Sequence, residues 1–168
     1  MSVRFWVRLL IAVWGALIFR LTLGPRLAVL GVQPDLMAAL VFYLTLARGA
    51  VPGILAGFLL GLLVDVDQPD ALGLSSLAWC TMAYATARIS EALESTDPVV
   101  AALLLLLVVL IGETVRCVFV AGADPGRMVV IWLRWVLPTA LYTCIVAPLA
   151  VALVHGALGG SRWFGGRT

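Results

Sequence analysis

Charged side chains stand where this chain is otherwise apolar, and they are the residues with chemistry to offer. Arg20, Asp35, Asp65, Glu113, Arg116 and Arg134 fall inside or at the ends of apolar runs. A charge within a membrane costs at least about 2.5–3.5 kcal/mol on insertion scales, so such groups pair or line a cavity. Glu113 and Arg116 are three positions apart and can pair on one helix face. Two other groupings raise catalysis. Ser75 and Ser76 in LGLSSLA, with the single His155, offer a nucleophile and a base; acyl transfer needs the two within about 2.6–3.2 Å. The acids of DVDQPD, Asp65 to Asp70, have a spacing found in metal-binding loops, but Pro69 and Asp70 suit a solvated turn. Cys80, Cys117 and Cys144 each sit in a different apolar run without a CxxC spacing, and read as small hydrophobic filler. No glycine-rich phosphate loop or cofactor motif occurs, so neither cofactor nor metal is expected, and the chain does not read as an enzyme.

Composition constrains the scaffold that holds these residues. Of 168 residues, 63% are hydrophobic and 12% charged, and the mean hydropathy is +1.12. Soluble domains run at about 45–50% apolar and about 25% charged. The class is therefore an all-α polytopic membrane protein, residues 1–168 forming one domain with no room for a nucleotide-binding or receiver module. The basic residues are all arginine and are scattered, without the basic stripe of a nucleic-acid binder. The N-terminal apolar run is longer than the core of a cleavable signal, about 7–15 residues, and reads as a retained first span.

Spanning helices need about 20 mainly apolar residues. Six segments fit: 5–23, 35–47, 51–66, 71–89, 99–121 and 134–158. The second is short. Ahead of the last, MVVIWLRW is expected to lie flat or tilted, with Trp132 and Trp135 in the aromatic belt and Pro138 and Pro148 bending the helix. With the N-terminus inside, inner segments hold Arg4, Arg8, Arg48, Arg88, Arg162 and Arg167, and outer ones only Arg26 and Arg127. This asymmetry places both termini in the cytoplasm. The six charges of the apolar runs then fall in the outer half of the bundle, as a polar cluster. The same topology argues against acyl transfer. Ser75 lies near the outer end of its helix and His155 near the inner end of its own, separated by most of a core about 30 Å thick. Ser76 also stands where the GxSG motif of intramembrane serine proteases has glycine.

GAVPGILAGFLLGLLVD, residues 49–65, repeats glycine at every fourth position: Gly49, Gly53, Gly57 and Gly61, with Asp65 in the next slot. On a helix of 3.6 residues per turn this row forms a slowly winding groove. Between lipid-embedded helices there is no hydrophobic attraction, and small residues allow the close backbone approach that replaces it. The groove is expected where another helix crosses, from this chain or from a partner.

The order PDL (Pro34 to Leu36), Arg48, GILAGFLLGLLVDV (Gly53 to Val66) and LGLSSLA (Leu72 to Ala78) resembles the rod shape-determining protein MreD family. Overall length, six spans and short loops are similar too. By that resemblance, Asp35, Gly53, Gly57, Gly61, Asp65 and Gly73 match the recurring pattern, and none carries a catalytic role. The resemblance implies a non-catalytic subunit of the bacterial inner-membrane elongation machinery that supports lateral peptidoglycan synthesis and rod shape. It implies MreC, a single-span protein, as partner, and indirectly MreB, RodA and a class B penicillin-binding transpeptidase, with membrane lipids around it and no nucleic acid. The alternative is the substrate-binding S component of an energy-coupling-factor vitamin transporter, also a small six-helix protein. Ala12 and Ala16 form the kind of small-xxx-small pair that such components use against their coupling partner.

Overall fold

The computed structural model describes residues 32–66, 71–93, 97–122 and 124–157, together with Trp14, Gly15, Ile18 and Thr22; of residues 98 and 150–157 it describes the backbone alone. The expected first span, 5–23, lies almost wholly outside the described residues. What is described is all-helical: α1 (Leu36–Arg48), α2 (Ala50–Asp65), α3 (Leu74–Leu93), α4 (Pro98–Ala121), α5 (Pro125–Ile131), a π-helical turn (Trp132–Val136) and α6 (Leu137–Ala157).

Local chemistry sets the ends. Asp35 caps α1, its Oδ1 accepting from the Ala38 N–H at 3.0 Å, which satisfies one of the donors that a helix start leaves without an intrahelical partner. Gly49 ends α1 at φ 89°, ψ −175°, a region essentially confined to glycine. This one residue reverses the chain into α2. Gly49→Ala is expected to cost about 1–3 kcal/mol, read as a lowered thermal midpoint of the detergent-solubilised protein. An unchanged midpoint would remove Gly49 from the reversal.

α1 is the central helix. It packs on α2, α3, α4 and α6, and Val41 and Phe42 are wholly buried. Around them gather Leu60 and Val64 of α2, Trp79 and Met82 of α3, Leu105 and Val108 of α4, and Ala140 of α6. The outer faces are as apolar as the core. α2 buries its glycines and exposes Val51, Leu55, Phe58, Leu59 and Leu63. Large apolar side chains outward and small ones inward suit a helix solvated by lipid, where close packing rather than apolar burial drives association.

Among the described residues, two helical stretches are long and apolar enough to cross a membrane: Val99–Ala121 and Pro125–Leu149. At 1.5 Å per residue, α1 and α2 reach only about 20 and 24 Å, short of a hydrocarbon core of about 30 Å. α3 is longer but carries Arg88 and Glu91 near its C-terminal end.

The last stretch departs from expectation. It is helical from Pro125 rather than from Arg134, and its irregularity is the π turn, one turn ahead of Pro138. The reason is steric. Pro138 lacks an N–H, and its ring crowds the carbonyl four residues back, that of Arg134. Over the π turn the ladder shifts to five residues, with the Leu137 N–H donating to the Trp132 carbonyl, so the helix continues without a break. Pro148 likewise lies within α6.

Candidate functional site

The glycine row meets two neighbours. A Cβ on Gly53 would collide with the Thr45 side chain of α1, whose hydroxyl donates to the Val41 carbonyl. A Cβ on Gly57 would lie 3.0 Å from the Trp79 carbonyl carbon and oxygen of α3. On Gly61 it would run into the Ser76 N and Cα and come within 2.8 Å of the Ser75 carbonyl carbon. Gly49 stands outside the helix, at the reversal. Residues of this same chain thus occupy the space that the glycines leave. Polar links reinforce the α2–α3 crossing: the Ser76 hydroxyl donates to the Phe58 carbonyl at 3.0 Å, and the Cys80 thiol to the Ile54 carbonyl at 3.5 Å.

Asp65 closes the crossing. The residue is 3% exposed. Its Oδ2 accepts from the backbone N–H groups of Gly73 at 2.9 Å, Ser75 at 3.0 Å and Ser76 at 3.4 Å. The last acid of one helix therefore caps the start of the next. An anion there meets both the open donors and the positive end of the helix dipole. Gly73, at φ 92°, gives the backbone the turn that aims its N–H at Asp65.

Asp35 joins three elements beyond capping its own helix. The Trp79 indole N–H donates to Asp35 Oδ2 at 3.3 Å, and the Asp35 N–H donates to the Thr143 hydroxyl at 2.9 Å. α1, α3 and α6 are tied at one point. Sequence reasoning missed Trp79, Thr143 and Thr45. Trp79 carried a signal, since a buried indole N–H usually finds an acceptor; nothing in the local sequence marked the two threonines.

On α4, Arg116 pairs with Glu113 at 3.3 Å, the side chains 27% and 16% exposed. Of the expected cluster residues, Glu113 and Arg116 pair with each other, whereas Asp35 bonds to Trp79 of α3 and Asp65 to the backbone at the start of α3. Arg134 is exposed on the π turn, and Arg20 lies outside the described residues. Glu113→Gln removes the carboxylate paired with Arg116 on a partly exposed face of α4 and is expected to lower the thermal midpoint less than any change at Asp65. A loss equal to that of an Asp65 variant would make the Glu113–Arg116 pair the main polar tie of the bundle.

Among the described residues, the polar groups at the α2–α3 crossing bond helix to helix. The backbone N–H groups of Ser75 and Ser76 are engaged by Asp65, and the Ser76 hydroxyl by Phe58. His155 lies in the last turn of α6, roughly 18 Å further along the helix axis than Thr143. Among the described residues no three His, Cys, Asp or Glu gather as metal ligands; Asp67 and Asp70 lie outside them. The three cysteines are free thiols.

The chain is thus a small helical membrane protein in which Asp35, Asp65 and Ser76 bond one helix to another. The family model described as rod shape-determining protein MreD matches residues 2–156, and the chain belongs to that family, whose members are bacterial inner-membrane proteins that determine cell shape. No curated protein and no solved structure matched it.

Proposed function

We propose that this chain is the non-catalytic membrane scaffold of the cell-elongation complex, a six-span bundle with both termini in the cytoplasm. In this reading it binds a single-span MreC-like protein and supports lateral peptidoglycan synthesis by RodA-type and class B transpeptidase enzymes coupled to MreB. The family match over residues 2–156 carries the reading. The architecture supports it: the described body offers helix faces for partners within the membrane, chiefly the apolar outer face of α2.

The test is purification of the tagged chain from its own host in mild detergent, with mass spectrometry of the proteins retained. An MreC-like single-span protein, with or without wall-synthesis enzymes, is the expected result. An ABC-type ATPase with a membrane coupling subunit would overturn it in favour of the vitamin-transporter component. That alternative rests on Ala12 and Ala16, which lie outside the described residues.

A further inference from the structure

Among the described residues, α5 buries no side chain and the π turn buries only Val136. Val129, Val130, Leu133 and Trp135 are all exposed on this stretch, and so are Arg127 and Arg134. The two arginines are seven positions apart, which places them on one broad side about 10 Å apart along the axis. Neither guanidinium makes an ion pair or hydrogen bond with a described residue. The nearby acid, Asp124, uses its Oδ1 to accept from the backbone N–H groups of Gly126 and Arg127. Every other described arginine is different: Arg88 and Arg116 have carboxylate partners, and Arg48 is engaged as well.

Arg134 is the sharper case. It stands exposed between Leu133 and Trp135, and no described residue of the core or of a neighbouring helix supplies an acceptor. An unpaired guanidinium on a lipid-facing helix reaches toward the headgroup layer, where the available acceptors are phosphates. A guanidinium binds phosphate with two parallel hydrogen bonds. The exposed Trp135 is of the type that settles at that level. Two positive charges that no described residue compensates select a headgroup of net negative charge over a zwitterionic one.

We propose that the exposed side of α5 and the π turn, carrying Arg127 and Arg134 beside Trp135, is a binding surface for the phosphate headgroup of an anionic membrane phospholipid. The surface is separate from the α2–α3 crossing and from Asp65, so its loss leaves the fold in place.

The test uses the full chain purified in neutral detergent and mixed with phosphatidylglycerol or phosphatidylcholine, the bound lipid being counted by native mass spectrometry. The expected result is preferential retention of phosphatidylglycerol, about fivefold weaker in Arg134→Gln and weaker again in the Arg127→Gln/Arg134→Gln double variant. Arg134→Lys should retain much of it, and Arg88→Gln, which alters an exposed arginine already paired with Glu91, should retain all of it. Equal retention of the two lipids by the unaltered chain would overturn the proposal, as would an Arg134→Gln variant indistinguishable from it. An equal loss in Arg88→Gln would reduce the effect to net charge. Displacement of the lipid by millimolar inorganic phosphate would assign the site to a free anion instead.

Discussion

Replacing Gly61 with alanine is expected to destabilise the bundle by at least about 3 kcal/mol, the upper end of what overpacking costs. The new Cβ would meet the Ser76 N and Cα, with the Ser75 carbonyl carbon 2.8 Å away. These are backbone atoms in the first turn of α3, so no side chain can swing aside. To make room, α3 must separate from α2. That movement would also stretch the Ser76–Phe58 hydrogen bond and the contacts of Ser75 and Ser76 with Asp65. Gly61→Leu should prevent recovery of a monodisperse protein. Gly57→Ala is milder, about 1 kcal/mol, because its contacts with Trp79 begin at 3.0 Å and a shift of a few tenths relieves them. Leu59→Ala, on the exposed face of α2, should leave the midpoint close to that of the unaltered chain. The order of thermal midpoints in detergent checks this series. A Gly61→Ala protein as stable as the parent would mean that α2 and α3 do not cross at this glycine.

This result bears on partner studies. Bulky substitutions in the glycine row act first on the α2–α3 hairpin, so a lost complex in Gly57→Leu or Gly61→Leu would report a damaged subunit rather than a damaged interface. The surface to alter in a partner assay is the exposed one, with Leu55, Phe58 and Leu59.

The second large effect is expected at Asp65. Asp65→Ala leaves the N–H groups of Gly73, Ser75 and Ser76 without their acceptor in a buried setting. A buried donor left unsatisfied costs about 1–3 kcal/mol, and loss of a helix cap alone about 0.5–2 kcal/mol; together a loss of about 2–4 kcal/mol is expected. Asp65→Asn keeps the shape but loses the charge and turns half of the cap into a donor, so it should recover only a minor part. Asp65→Glu keeps the charge and displaces it by one methylene, and should fall between the two. Midpoints in detergent, with hydrogen exchange at the first turn of α3, separate a local cap from a general loss. If exchange at Gly73, Ser75 and Ser76 were unchanged in Asp65→Ala, the carboxylate would not be holding that turn.

Part of this is legible in the order of the residues. The composition can be accommodated only in a membrane. Asp35 before an apolar run marks the start of α1, and the uninterrupted run 99–121 marks α4. Glu113 and Arg116, three apart on one helix, specify their own pair, because helical spacing alone brings them together. The glycine row announces a close crossing. The start of the last helix is not legible in this way, since Pro138 argues for a bend and a five-residue ladder can absorb the same clash within a continuous helix. Arg134 groups with the other charges by its depth in the chain, whereas its side of the helix turns it outward.

Hydrophobicity and spacings of three and four residues are enough to set the solvent of this protein, the helical class of its elements and the contacts made within single helices. Helix packing decided what faces each glycine. A residue four positions on is rotated by about 40°, so the row turns from Thr45 of α1 at Gly53 to the backbone of α3 at Gly57 and Gly61. It also decided that Asp65 caps the next helix and that Asp35 joins Trp79 and Thr143. Those bonds span different helices, and their register is set by how the helices pack, which no local spacing encodes.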